Sequence, residues 1–314
     1  MVLVTGASGF VGTALCRALS EKGRAHTAAV RTGAVGAQVS VGDIGPATDW
    51  RAALAGCSVV VHLAARVHVM SDRDADPLRA YREVNLEGTM NLARQAVRAG
   101  VKRFVFVSSV KVNGEATAAA PFSALDEPGP CDPYGQSKME AERALLALAR
   151  ETGLEVVIVR PPLVYGPGVK ANFLSLMRLV RRGLPLPLGS VRNRRSMVAL
   201  DNLVDLLIVC CTHPRAAGGI FMVSDGNDVS VAELVGMIAK AMGRRPRLIP
   251  LPVALLDAGA RMLGKGAVAE RVLGSLQVDI ASTQVTLEWT PVIGTQAAID
   301  QTVSNFLMAD AQNK

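Results

Sequence analysis

Residues 1–5 form an apolar run that passes directly into Gly6-Ala7-Ser8-Gly9-Phe10-Val11-Gly12, and a helical pattern begins inside that segment. A strand, a glycine-rich turn and a helix in this order leave few folds open. Glycine gives the turn its backbone freedom, keeps side chains away from an approaching ligand and lets helix and strand pack closely. The unpaired N–H groups at the helix start, with the positive end of its dipole, then face an anion such as a pyrophosphate. An isolated glycine pattern is a weak signal. At the first turn of a strand–helix–strand unit it is a strong one. Gly6, Gly9, Phe10, Val11 and Gly12 are therefore candidate dinucleotide-binding residues.

The next 150 residues repeat the alternation. Runs at 27–30, 59–63, 104–108 and 156–160 are near-continuously apolar, without the period of two that a half-exposed strand shows, as in parallel strands buried on both faces. Helical spacing occupies 10–22, 78–99 and 134–152, and Asp132-Pro133 supplies a cap and a first-turn proline for the last. The expected fold class is α/β, a Rossmann-like doubly wound parallel sheet, with residues 1–160 as the NAD(P)-binding domain. After Pro161-Pro162 the elements shorten between Gly/Pro breaks. Residues 161–314 are expected to form a smaller, mostly helical substrate-binding region interleaved with late strands of the sheet.

Composition narrows the classes. The chain has 314 residues, half of them hydrophobic, which is ample for a packed core. No apolar run reaches the roughly 18 residues of a membrane span, and with a strand pattern starting at Met1 no leader is expected. The five cysteines, Cys16, Cys57, Cys131, Cys210 and Cys211, lack CxxC spacing, so disulfides are not expected and a reducing cytoplasm is the expected location. No metal is expected, because no His/Cys/Asp group has ligand spacing. His62 and His68 read as structural histidines. The formal charge of +7 comes with only 4% aromatic residues, so Arg181, Arg182, Arg244 and Arg245 read as a solvated face and no nucleic-acid partner is expected.

At the end of the second strand, where an acidic residue would bind the adenosine ribose, the sequence has Ala28-Ala29-Val30-Arg31. Arg31 suits a 2′-phosphate and inclines the cofactor toward NADP(H). Gly42-Asp43-Ile44 is expected to close the third short strand, with Asp43 and Ile44 at the adenine edge.

Tyr134 and Lys138 stand at i and i+4, so they share one helical face. A phenol with a reference pKa of about 10 is a poor acid–base group at neutral pH. A nearby ammonium favours its ionised form, and Lys138 can also hold the nicotinamide ribose. Ser108-Ser109 closes the preceding strand at the carboxyl edge of the sheet, where Ser109 can polarise a carbonyl. Ser109, Tyr134 and Lys138 are the candidate catalytic residues.

Glycine loop, strand-end serine and YxxxK in this order resemble the extended short-chain dehydrogenase/reductase family, in its nucleotide-sugar epimerase/dehydratase branch. Further marks are His62-Leu63-Ala64-Ala65, Val84-Asn85, Arg160-Pro161, Val164-Tyr165-Gly166-Pro167-Gly168, Arg195 to Asn202, and Leu287-Glu288-Trp289-Thr290-Pro291. The resemblance spans nearly the whole chain. It implies that Leu63, Ala64, Ala65 and Pro161 line the cofactor, that Asn172 and Arg195 contact a UDP group, and that a homodimer is possible. Arg261 and Arg271 are candidates for a second diphosphate contact. The family's 4,6-dehydratases carry Thr-Asp-Glu where this chain has Ser109-Val110-Lys111, so elimination lacks its acid and base. Segments such as SSVKVNGE and SLQVD are similar to bacterial reductases, which implies reduction of UDP-4-keto-6-deoxy-N-acetylglucosamine to UDP-N-acetylquinovosamine for O-antigen synthesis. A UDP-hexose 4-epimerase is the alternative, and a non-catalytic NAD(P)-binding sensor a distant third. Residues 252–274, apolar with Arg261, Lys265, Glu270 and Arg271, are expected to pack against the C-terminal region or a partner subunit rather than a membrane surface.

Overall fold

A computed structural model of the chain describes residues 1–67 and 76–312. Strands β1 (Val2–Thr5), β2 (His26–Val30), β3 (Gln38–Ser40), β4 (Val59–His62), β5 (Arg103–Val107) and β6 (Glu155–Arg160) form one sheet with a later strand described below. Their order is β3-β2-β1-β4-β5-β6, and every pairing is parallel. Successive residues face opposite sides. Val4, Val61, Val105 and Val157 enter one apolar cluster, and Leu3, Val60, Phe104 and Ile158 enter another. Both faces are covered, which is why the strands read as unbroken apolar runs.

Helix α1 (Phe10–Glu21) follows β1, the short α2 (Arg51–Leu54) precedes β4, and α3 (Pro77–Arg82) begins the crossover to β5. The single helix expected over 78–99 is interrupted. A π-helical turn at Glu83–Gly88 separates α3 from α4 (Thr89–Arg98). Such a turn inserts an extra residue into the ladder, and here it carries buried Asn85, which bonds across to the neighbouring segments. The 20-residue α5 (Pro133–Thr152) is capped as expected: Asp132 accepts from the Gly135 N–H at 2.6 Å, and Gly153 closes the helix in the left-handed conformation.

Beyond residue 160 the chain adds a two-stranded parallel pair, β7 (Leu163–Tyr165) with β8 (Met197–Ala199), then α6 (Ala171–Arg182) and α7 (Leu200–Thr212). Strand β9 (Ile220–Met222) returns to the main sheet beside β6 as its seventh strand, and α7 packs on α1. α8 (Val231–Ala241) follows, with α9 (Val253–Met262), α10 (Gly266–Leu273), α11 (Ala281–Leu287) and α12 (Thr295–Gln312). Phe173, Met177, Leu234, Ile238, Ile299 and Val303 join α6, α8 and α12 in a third core. The expected packing of 252–274 onto the C-terminal region is met only in part. α9 buries no residue, α10 buries Ala269, and the two lean mainly on each other. Among the described residues no helix is long and apolar enough to cross a membrane, and all five cysteines are unbridged.

Candidate active site

β1 is flanked by β2 and β4, so the strand order reverses there and a crevice opens at the carboxyl ends of β1 and β4. The glycine turn sits in that crevice. Gly6 adopts φ +64°, and a Cβ on it would stand 2.9 Å from the Ala64 nitrogen. A Cβ on Gly12 would stand 2.1 Å from the Gly6 carbonyl oxygen. The Gly9 N–H donates to that same oxygen at 2.9 Å, and α1 starts at Phe10 with no side chain capping it. Phe10 and Val11 are half-buried and point their apolar atoms into the core. Leu63, Ala64 and Ala65 form the opposing wall, half-buried just past β4. The turn is thus a bare backbone cradle at an open helix N-terminus, which fits a dinucleotide pyrophosphate. Replacing Gly12 with Ala must push the turn apart. Dinucleotide affinity is expected to fall about tenfold or more, a loss of about 1.4 kcal/mol per decade, checked by calorimetric titration.

At the adenosine end, β3 stops at Ser40, two residues short of the Gly42–Ile44 segment expected to close it. Gly42 turns the chain with φ +73°. Asp43 therefore lies on an exposed loop, where its Oδ1 pairs with Arg31 Nε at 3.1 Å. Ile44 packs toward Gly88, where an added Cβ would stand 2.9 Å from the Ile44 side chain. The two residues assigned separate roles by sequence are partners.

Ser108 and Ser109 follow β5, with the Ser108 N–H donating to Val159 O (2.8 Å) and the Val110 N–H to Pro161 O (3.0 Å). Pro161 is buried at this junction. Ser109 caps a 3₁₀ turn at Val110–Val112 and accepts the Lys111 N–H at 3.2 Å. That turn abuts the start of α5: a Cβ on Gly135 would lie 2.6 Å from Lys111 O. Lys138, one turn along α5 from Tyr134, lies over the Phe106 ring of β5, with Nζ 4.1 Å from the centroid. Ser109, Tyr134 and Lys138 are thus carried on two elements that touch.

Electrostatics differ from the sequence expectation. Burial first, then the carboxylate of Asp132 and the Tyr81 ring beside it, push Tyr134 up to about 12, so the chain alone holds it as a protonated phenol. Lys138 is fully buried and pushed down to about 7 by that burial, against a smaller opposing pull from Glu142. It has no hydrogen-bond or ion-pair partner among the described residues. A desolvated ammonium and the buried, unbonded Ser108 Oγ fit a polar ligand such as the nicotinamide ribose.

Supporting residues emerge that sequence reasoning left unassigned. Asn85 accepts the Arg66 N–H (2.8 Å) and donates to Arg66 O and to Ser137 Oγ (3.0 Å each), while Ser137 donates to Tyr134 O (2.8 Å). A polar residue on the buried side of a helical pattern is the signal for it. His62 is a structural histidine: it bonds Thr5 (2.7 Å) and Thr89 (2.9 Å), and burial pushes it down to about 3, so it stays neutral. His68 lies outside the described residues.

The two substrate candidates stand on the C-terminal half. Asn172 is exposed at the second position of α6, after Ala171 at φ +53°. Arg195 is half-buried and donates to Arg271 O (2.8 Å) and Gly274 O (2.9 Å), the carboxyl end of α10. No hydrogen bond or ion pair joins either to Ser109, Tyr134 or Lys138 among the described residues. No group of three or more His, Cys, Asp or Glu there is placed to hold a metal ion.

Seven parallel strands, a glycine cradle at the switch point and a Ser/Tyr/Lys set beside it define a dinucleotide-dependent enzyme fold. Residues 2–224 match the NAD dependent epimerase/dehydratase family, and the chain belongs to that family. It is 49% identical over 315 residues to the UDP-glucose 4-epimerase of Vibrio cholerae, covering 98% of this chain and 96% of the relative. It is 31% identical over 270 residues to the ceramide reductase of Caulobacter vibrioides, covering 83% and 76%. MoeE5, solved in complex with UDP-glucose and NAD, superposes with a TM-score of 0.77 at 28% identity, over 98% of this chain and 99% of that one.

Proposed function

We propose that the protein is a UDP-hexose 4-epimerase acting on UDP-glucose or a close relative, with residues 1–160 holding NAD and residues 161–314 the nucleotide sugar. The observation that carries this is the near full-length 49% identity to a UDP-glucose 4-epimerase. It reverses the preference for a 4-ketoreductase that sequence segments alone supported. MoeE5, which binds UDP-glucose and NAD, supports the same ligand pair.

Bound NAD supplies the hydride acceptor and donor at the sugar C4. Ser109 hydrogen-bonds the C4 oxygen, and Tyr134 takes the hydroxyl proton and later returns it. Lys138 holds the ribose and contributes positive field near the phenol. Asn172 and Arg195 secure the UDP group, Arg195 through the diphosphate charge. Because Asp43 already engages Arg31, we favour NAD over NADP: a 2′-phosphate would have to compete with that carboxylate.

The 4-ketoreductase remains the second reading, favoured by the relatedness to a reductase. One assay separates the two. The purified protein is offered UDP-glucose with no added reduced cofactor, and separately UDP-4-keto-6-deoxy-N-acetylglucosamine with NADH or NADPH. The epimerase reading expects UDP-galactose to form without net cofactor change. Stoichiometric consumption of reduced cofactor, with no hexose interconversion, would overturn it in favour of the reductase.

A further inference from the structure

Lys111 joins the two catalytic segments through three of its groups. Its N–H donates to Ser109 Oγ at 3.2 Å. Its carbonyl oxygen packs so closely on α5 that only glycine fits at 135. Its Nζ forms ion pairs with Asp132, the cap of α5, and with Glu115 at 2.8 Å. The other Asp132 oxygen takes the Gly135 N–H at 2.6 Å, one residue past Tyr134. We infer that Lys111 is a positioning residue for proton transfer: it fixes the Ser109 turn against the start of α5 and pairs with the Asp132 carboxylate that caps α5 two residues before Tyr134.

This inference rests on the proposed function, in which Tyr134 moves a proton. The physical case is a charge balance at the start of α5. Asp132 raises the proton affinity of Tyr134, second only to burial. An ammonium on that carboxylate cancels part of its field, and the pair is shielded enough from water for this to count: Lys111 is 27% and Asp132 16% exposed. The remaining charged and titratable groups on the elements packed around Tyr134 are Arg66 after β4, Asp76, Arg79, Tyr81 and Arg82 at and in α3, Glu83 and Glu87 of the π turn, Glu115, and Lys138, Glu140, Glu142 and Arg143 in the first half of α5. Arg82 and Glu140 neutralise each other at 2.6 Å, and Arg66 lies 5.5 Å over the Tyr81 ring. Lys111 is the cation that contacts the carboxylate nearest the phenol in sequence.

The test uses the NAD-loaded protein and two readouts. Tyrosine ionisation is followed by NMR of isotope-labelled tyrosine, which is tractable because the chain has only three tyrosines, with Tyr134→Phe identifying the resonance. The pH profile of UDP-glucose turnover is measured in parallel. Lys111→Met is expected to move the Tyr134 transition up by about one pH unit, cutting turnover about tenfold at neutral pH, with KM little changed. Asp132→Asn, which retains the cap, moves the transition down. The double variant returns it near wild type, and Lys111→Arg restores it. A Lys111→Met protein that is merely less stable, with an unmoved transition, overturns the inference. Should that variant not fold, an unmoved transition in Asp132→Asn does the same. The NMR transition needs no turnover, so a failed epimerase reading, seen as full activity in Tyr134→Phe, is distinguishable from a failure of this one.

Discussion

Tyr134→Phe lowers turnover by about three orders of magnitude while dinucleotide affinity stays within a few-fold. The size follows from the role, since a positioned acid–base group contributes about 10²–10⁴ in rate. Under the proposed mechanism affinity survives, because the lost atom is a hydroxyl at the reacting carbon, whereas the glycine cradle and Lys138 would hold the cofactor. Burial, Asp132 and Tyr81 hold the phenol protonated up to about 12 in the chain alone. The donor form is therefore in place across the neutral range, and acceptance of a proton becomes easier as pH rises. The half-reaction in which Tyr134 acts as base should speed up with pH in the wild type and lose that slope in the variant. Rapid-mixing measurements of nicotinamide absorbance across pH check both. Wild-type turnover in Tyr134→Phe would remove Tyr134 from the mechanism.

The parallel sheet was legible because burial on both faces leaves a simple mark: strands with no polar alternation, such as Val156 to Val159, between amphipathic helices. Tyr134 and Lys138 were legible because a spacing of four on a helix is a statement about geometry. The π turn at Glu83–Gly88 was not, because apolar periodicity averages over several turns and a one-residue insertion barely disturbs it. Its polar centre, Asn85, interrupts the apolar face only once. A late strand of the sheet was expected within 161–314, but β9 could not be placed because Ile220–Met222 is only three residues long and lies beyond an apparent domain break.

Partnerships between distant charges were illegible for a different reason. Lys111 and Asp132 are 21 residues apart, and nothing local in either segment specifies the other. Arg31 and Asp43 were each read against an absent ligand, although they satisfy one another across the ends of neighbouring strands. Local pattern reports which face a residue occupies, and only the assembled sheet reports which charge meets it there. For the same reason the downward push on Lys138 could not be foreseen: a YxxxK spacing carries no information about desolvation beneath Phe106.

Lys138→Met should stabilise the unliganded protein and abolish its activity together. Burial pushes Lys138 down to about 7 in the folded chain, far below the ordinary lysine value. The unfolded chain thus binds this proton more tightly than the folded one. The cost of burying the ammonium is fully present below about 7 and disappears as pH rises through the ordinary lysine range. Methionine matches the stem, packs on Phe106 and carries no charge to desolvate. After allowing for the lost contact between the ammonium and the ring, the gain is on the order of 2 kcal/mol, or about 3–6 °C in Tm at neutral pH. It should shrink steadily in alkaline buffer. Under the proposed role of Lys138, NAD affinity and turnover fall at least about a hundredfold, because the ribose would lose its donor. Thermal melts across pH, with and without NAD, provide the check. A variant that melts lower than wild type at every pH would show that Lys138 is held by contacts that compensate its burial, and that the site does not trade stability for function.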